Sequence, residues 1–363
     1  MRLLHRYFRR NISRATLTAC LALLGLFAVI DLLLELSNGS GNPNQLRDAA
    51  LYAALRVPAN LYQLLPICVM LGGLFSLAQL VNDSEYPVIR TAGVSLARVA
   101  FSLLRIGFLF ALLTLLVSEL LMPLADNYAR SLRLRISSAT TVNNLQSGYW
   151  MRDHQHFVNF EEVGADQVVK KLSLYELDKQ QNIKSFSTAR EARYVENQGW
   201  ILQEVTRVHP QPDKVVTEHL PQLVWRTGLT PQLVTMLAVT PEKMSAWQLY
   251  QYTRHLLENQ QDAVRYELAF WARLGYPLSC LSLLLLSLPF AQFQKRSGGA
   301  GLRLLSGLLL GLLFYVLSRL VSHMALIYDW PPIGAALTPS LVILLLASFI
   351  LWWQEYGRVR FQS

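Results

Sequence analysis

Few residues in this 363-residue chain can do chemistry, and their types and spacing decide which kind. His154 and His156 offer two imidazoles to a metal, but no further Cys or His cluster lies near them. Structural and catalytic metal sites need three or four ligands, so the pair reads as a solvated strand edge. Asp31 and Glu35 stand four residues apart at the end of a long apolar run. A carboxylate there is costly unless it faces water, a cavity or a partner. Arg130, Arg133 and Arg135 follow another apolar run, and guanidinium groups gathered there suit an anionic head group or phosphate. The segment Asn82-Asp-Ser-Glu-Tyr-Pro-Val-Ile-Arg-Thr-Ala-Gly-Val94 sets Ser84 and Glu85 before an apolar group (Tyr86, Val88, Ile89) and closes on Gly93. A short amphipathic piece of this kind can dock into another protein, with Glu85 offering its charge to a partner arginine. No P-loop, no Gly-x-Ser-x-Gly and no His-Glu-x-x-His is present, so no catalytic signature stands out.

The elements that must carry these residues are mostly apolar. The chain is 52% hydrophobic and 16% charged, with a mean hydropathy of +0.28; globular domains carry about 25% charged residues. Runs at 15–35, 61–80, 99–122, 270–290, 304–327 and 333–353 approach the roughly 20 apolar residues that a bilayer crossing needs. Pro66 and Pro277 interrupt two of them, and Pro123 is expected to end the third. The reading is three spans, one polar domain and three spans. The first run is too long for a signal-peptide core and lacks a small-x-small site, so it reads as a retained span.

The net charge of +9 does not indicate nucleic acid, because many basic residues flank apolar runs, where they set orientation. The start, the 82–98 segment, the 292–303 loop and the tail are basic, while 37–44 and 328–332 lack Lys and Arg. Both ends therefore belong in the cytoplasm and the middle domain outside. That domain shows short alternating segments at 156–160, 171–175, 183–188, 200–208 and 214–217, with turns at 178–182 and 196–199, which points to a β-sandwich or jellyroll. Ser245 caps a helix over 246–257 with Trp247, Tyr250 and Leu257 on one face. Cys20, Cys68 and Cys280 all fall in the spans and read as small packing residues. Gly307-Leu-Leu-Leu-Gly311 is a spacing that lets helix backbones approach, or else neutral filler.

Arg6-Tyr7, Val57-Pro58, Leu65-Pro66, Asp83 to Gly93, Gly148-Tyr-Trp150 with Phe157-Val158, Leu229-Thr-Pro231, Arg265-Tyr266 with Trp271 and Pro277, and Pro331-Pro-Ile-Gly-Ala335 together form a pattern by order and spacing. In this pattern the chain resembles the LptF/LptG family of permease subunits of lipopolysaccharide export ABC transporters, nearer its LptG branch. The resemblance implies an α-helical membrane protein of the Gram-negative inner membrane. It would have six transmembrane helices and a periplasmic all-β jellyroll inserted between helices 3 and 4, with boundaries at 1–136, 137–244 and 245–363. It implies pairing with an LptF-type permease, two copies of a cytoplasmic LptB-type ATPase and a single-span LptC-type protein, with no cofactor and no nucleic acid. By that analogy Ser84, Glu85, Val88, Ile89 and Gly93 couple to the ATPase. Lipopolysaccharide would meet Arg130, Arg133, Arg135, Asp31, Glu35 and, on span five, Phe314 and Tyr315. LptG relatives tend to carry basic residues near the outer end of span one, where this chain has Asp31 and Glu35.

Two other readings compete. A membrane-embedded enzyme acting on lipid or glycan needs ionisable groups converging at one depth, whereas Asp31, Arg105, Glu119, Arg273, Arg319 and His323 are scattered. A mechanotransmission permease has four spans with its large domain after the first, which the layout here does not match.

Overall fold

The computed structural model describes residues 2–356 except 39–44, 138–147, 164–167, 179, 181, 197, 211–213, 238 and 294–299. The chain divides into two compact units, Met1–Ala129 with Val264–Ser363, and Arg130–Ala263.

The first unit is helical. Its elements are α1 (Arg2–Asn38), α2 (Gln45–Asn82), the short α3 (Glu85–Thr91), α4 (Leu96–Leu116) running through a π-turn (Val117–Leu121) into α5 (Met122–Ser137, assigned to the second unit from Arg130 on), then α8 (Val264–Gly275), α9 (Leu278–Phe293), α10 (Ala300–Ile327) and α11 (Pro332–Tyr356). Five of these helices are long and apolar enough to cross a membrane, and the pair α8 and α9, bent by 48° at the break, makes up to six. The helix α2 is apolar all round and forms the centre. Of its most apolar 18 residues 83% are buried, against 11% for α1 and 17% for α10. An element hydrophobic on every face belongs inside. Leu65, Met70, Leu74 and Leu77 of α2 pack with Leu103 and Ile106 of α4 and with Cys280, Leu283 and Leu284 of α9. All three cysteines are buried and unbridged.

One proline acts differently from its sequence expectation. Pro123 does not end the helix that carries the third apolar run. The Met122 N–H bonds the Val117 carbonyl, the spacing of a π-turn, and the chain continues helically through Pro123 into α5. A proline ring crowds the carbonyl four residues back and brings no N–H, and one wide turn relieves both conflicts. Pro277 instead breaks the fourth run into α8 and α9.

The glycine pair at 307 and 311 is a helix contact. A Cβ on Gly307 would sit 2.7 Å from Leu74 Cδ1, and one on Gly311 would sit 3.0 Å from Ile67 Cγ2. Bare backbone at these positions lets α10 lie against α2. Gly307→Leu is expected to push α10 off α2 at a cost of about 1–3 kcal/mol. Thermal melting of the purified protein reads this loss; Leu308→Ala, on the exposed face, serves as the neutral control.

The second unit is built on one antiparallel sheet of six strands that pair in chain order: β1 (Tyr149–Asp153), β2 (His156–Val163), β3 (Val168–Leu177), β4 (Ile183–Val195), β5 (Gly199–Pro210) and β6 (Val215–Trp225). Its core holds Trp200, Phe160, Leu172 and Leu202, and Trp200 Nε1 donates to the Leu229 carbonyl at 2.7 Å. One transverse row interrupts the ladders. Lys171 and Glu204 have positive φ (53° and 51°), and the pairings skip Glu161, Lys171, Arg190 and Glu204 before resuming. The buried positions shift phase there: Val169 then Leu172, Ala189 then Ala192, Leu202 then Val205. Two consecutive outward residues in neighbouring strands bend a sheet along that line. Exposed ion pairs sit on it, Lys171 to Glu161 and Arg190 to Glu204, each at 3.2 Å.

The same unit contains α6 (Pro231–Leu237) and α7 (Ala246–Glu258), the latter opened by a Ser245/Gln248 capping box. Trp247, Tyr250 and Leu257 form its exposed face, whereas Leu249, Tyr252 and Leu256 are buried. His154 is not on a strand edge. It occupies the β1–β2 turn at φ 52°, and its N–H donates to Asn259 Oδ1 at 2.7 Å, which fastens the turn to the end of α7. Asp153, buried beneath, accepts from the Thr227 hydroxyl and lies 2.9 Å from His154 Nδ1. Burial pushes the Asp153 carboxyl up, but Thr227 and His154 outweigh it and hold the group below its ordinary value. Burial pushes the His255 imidazole down.

Both shifts carry the same sign. The unfolded chain binds more protons than the folded one, so stability is lost on acidification. For His255 the loss begins as pH falls below about 6.5 and continues through its folded value; for Asp153 it begins below about 4. Amide exchange at 153–156 and 255–259, corrected for intrinsic rates, is expected to quicken between about pH 7.5 and 5.5, and His255→Gln to flatten that window.

Candidate functional site

At one end of the helical unit, α3 is pinned from three sides. Tyr86 is buried and Ile89 packs on the same core, whereas Ser84 and Val88 face outward, Val88 at 65% exposure. Gly93 at φ 83° closes the turn, with its N–H to the Arg90 carbonyl and the Val94 N–H to the Ile89 carbonyl. This left-handed closure is where glycine is favoured. The Tyr7 hydroxyl of α1 donates to Glu85 Oε2 at 2.9 Å. Arg90 lies 3.7 Å from Glu355 of α11, and Glu355 also accepts the Leu96 N–H. The start of α1, α3 and the end of α11 therefore meet at one end, and α3 presents Ser84, half-buried Glu85 and Val88 as an outward edge. Through these contacts α3 is joined to both the first and the last apolar helix.

Asp31 lies far along α1 from Tyr7 and does not stand open. It is 8% exposed, takes Asn60 Nδ2 at 2.7 Å and sits 3.4 Å from Arg56 Nη1, both on α2. A buried carboxylate needs such compensation. The Arg56 side chain itself stays 43% exposed, so Asp31 orients a cation that faces outward. Glu35, one turn on, is half-buried. Arg130, Arg133 and Arg135 belong to α5, and their side chains lie outside the described residues. On α10, Phe314 is buried against the core, and Tyr315 is half-buried with the Arg319 guanidinium 5.6 Å above its ring.

Close to Asn60 along α2 lies a joint built around Arg273 of α8. Its Nε is 3.1 Å from Glu119 Oε1, and its Nη2 donates to the Ser118 carbonyl at 3.0 Å. The π-turn explains that second bond. Met122 has given its N–H to Val117, Pro123 has none, and the Ser118 carbonyl is left for Arg273. Tyr62 of α2 lies under the guanidinium at 5.9 Å and against Tyr276 at 4.8 Å, and the Tyr276 hydroxyl donates to the Gln63 carbonyl. The break in α8–α9, the π-turn and the Pro66 region of α2 thus share one polar knot, with Arg273 only 4% exposed.

Comparison with known proteins now bears on these features. Residues 6–353 match the family described as lipopolysaccharide export system permease LptF/LptG. The chain belongs to the LptF/LptG family. It is similar to the lipopolysaccharide export system permease protein LptG of Haemophilus influenzae, at 28% identity over 96% of this chain and 97% of that protein. It is equally similar to LptG of Escherichia coli K12, at 28% identity over 96% and 97%. Its relatives are named as transporter components, not as enzymes.

In this LptF/LptG permease the sequence brought out Ser84, Glu85 and Asp31 but did not show the pairings of three residues that hold the architecture together. Arg56 completes the Asp31 pair; the signal was that a carboxylate inside an apolar run requires a nearby cation. Tyr7 holds Glu85, and Arg273 holds Glu119. His154 and His156 do not converge with other ligands: no group of three or more metal-binding side chains occurs among the described residues.

Proposed function

We propose that this lipopolysaccharide export permease is the LptG-type half of a heterodimer with an LptF-type permease. It spans the Gram-negative inner membrane six times, with α8 and α9 forming one broken span. Both termini and α3 face the cytoplasm, and the 137–244 region faces the periplasm. Two copies of an LptB-type ATPase dock on the permease pair, and a single-span LptC-type protein joins it. The sheet, folded along the Glu161–Glu204 row, acts as the family's jellyroll. The exposed leucine faces of α1 and α10 (Leu17, Leu21, Leu309, Leu313) border the seam and the acyl-chain cavity. Closure of the ATPases moves α3, the movement collapses that cavity, and the lipid is expelled towards the sheet domain.

The observation that supports this reading most is the edge of α3, an exposed Ser84–Glu85–Val88 surface tied to both the first and the last helix, on a chain without a nucleotide-binding motif of its own. A cysteine placed at Val88 is expected to cross-link to the ATPase in the assembled complex. A complex that assembles and yields no adduct there would remove the assignment.

In the helical unit the phosphorylated head group is met by Arg56, which Asp31 orients, while Asp31 and Glu35 act from behind, not as direct ligands; Arg130, Arg133 and Arg135 are taken as lipid contacts on the family resemblance alone. Phe314 and Tyr315 stiffen the α10 wall. A charge-assisted bond to phosphate contributes about 1.5–3 kcal/mol, so Arg56→Ala is expected to weaken lipopolysaccharide binding about tenfold or more. Asp31→Asn keeps Arg56 charged and is expected to have a smaller effect. Binding to the purified complex checks both.

A further inference from the structure

Beyond the export path, α1 carries a second basic feature near the end that meets α3. Arg6, Arg9, Arg10, Ser13 and Arg14, with Leu109 of α4, line a cavity of about 450 Å³. At 100° per residue these five α1 positions fill an arc of about 140° on one face of the helix. Phe8 and Ile12, on the other side, are buried. No carboxylate pairs with any of the four arginines among the described residues.

Arginines that only set the orientation of a span need neither a shared face nor a cavity. Four guanidinium groups around one space, without a counter-charge, repel one another unless an anion enters. Their forked donors match phosphate oxygens, and the Ser13 hydroxyl adds a further donor. The same arc continues into Leu17 and Leu21, at 60% and 63% exposure. On α4, Leu109 is followed by exposed Leu112, Leu113 and Leu116. The contact of His5 Nδ1 with Ser102 Oγ at 2.7 Å sets the two helices side by side here. A phosphate site that opens onto two apolar helix faces matches a head group with its acyl chains attached better than a free anion.

We propose that this cavity binds the phosphate-bearing head group of an anionic phospholipid, whose acyl chains lie along α1 and α4. Its assignment to the cytoplasmic leaflet rests on the orientation given above; the head-group chemistry does not. Tyr7, which holds Glu85, lies in the same turn as Arg6 and Arg10, so an occupied site steadies the element that positions α3.

The test uses the full-length chain, assembled with its partners in nanodiscs containing equal parts of phosphatidylglycerol and phosphatidylcholine, with retained lipid read by native mass spectrometry. The wild type is expected to retain phosphatidylglycerol preferentially. Joint substitution Arg6→Gln, Arg10→Gln and Arg14→Gln is expected to cut that preference at least about tenfold, and the corresponding lysine triple to restore most of it. The lysine triple keeps the test decisive if the glutamine variant fails to assemble. Equal retention of both lipids by the wild type would overturn the proposal, as would an unchanged preference in the glutamine variant. Saturation by inorganic pyrophosphate without retained phosphatidylglycerol would overturn the lipid assignment in favour of a free anion. The readout is retained phospholipid, so failure here is distinct from failure of lipopolysaccharide export.

Discussion

Glu85→Arg is expected to leave the chain folded and inserted while reducing ATP-driven lipopolysaccharide release to background. The helix α3 owes its place mainly to Tyr86 and Ile89 in the core and to the Gly93 closure, which the substitution leaves intact; of its anchors only the Tyr7 bond is lost. What changes is the outward edge. A charge pair across an interface is worth about 2–5 kcal/mol when one partner is truncated, and reversal adds repulsion, so a loss well beyond tenfold follows. Tyr7→Phe separates the two duties of the carboxylate. It removes only the hydrogen bond within the chain, worth about 0.5–1.5 kcal/mol, and release is expected to fall no more than about tenfold. Comparable, severe loss in both variants would mean that Glu85 matters through α1 and not through a partner.

The second large effect concerns the buried knot. Arg273→Met keeps the side-chain length but leaves Glu119 without its cation and the Ser118 carbonyl without a donor. Arg273 is 4% exposed but Glu119 is 30% exposed, so breaking the pair from the arginine side costs about 1–3 kcal/mol, less than for a fully buried pair. The detergent-solubilised protein is expected to lose that much stability in a thermal or denaturant melt, and the α8–α9 break to become more accessible to proteolysis. The double variant Arg273→Met, Glu119→Met is expected to recover part of the loss, because the half-buried carboxylate is then no longer left without its cation. If the single and double variants melt alike, the knot is held by the aromatic contacts of Tyr62 and Tyr276 instead.

The apolar runs were legible because bilayer length and helix rise leave few alternatives, and five strands were legible from their alternation. The strand β1 was not: it carries Arg152 and Asp153 and turns at His154-Gln155, which offers none of the usual glycine or asparagine. Pro123 read as a helix end because sequence rules treat a proline as a stop; only the geometry shows a π-turn absorbing it. Arg273 and Glu119 looked like scattered charges because sequence separation hides a contact of 3.1 Å. Asp31 was recognised as costly, yet its solution sits on the next helix, where Arg56 looked like one more basic residue. Residues that act through local chemistry (Ser84, Glu85, Gly93) could be read from the chain, whereas those that act by pairing across elements needed the fold.

The central claim is that this permease converts ATP turnover on a separate subunit into lipid movement through α3. Its most direct test is ATP-dependent transfer of lipopolysaccharide from proteoliposomes to a soluble periplasmic acceptor, with this chain reconstituted beside the proposed LptF-type permease, LptB-type ATPase and LptC-type protein. Transfer should require ATP with the wild type and vanish with Glu85→Arg. A stable wild-type complex that hydrolyses ATP yet releases no lipopolysaccharide would contradict it.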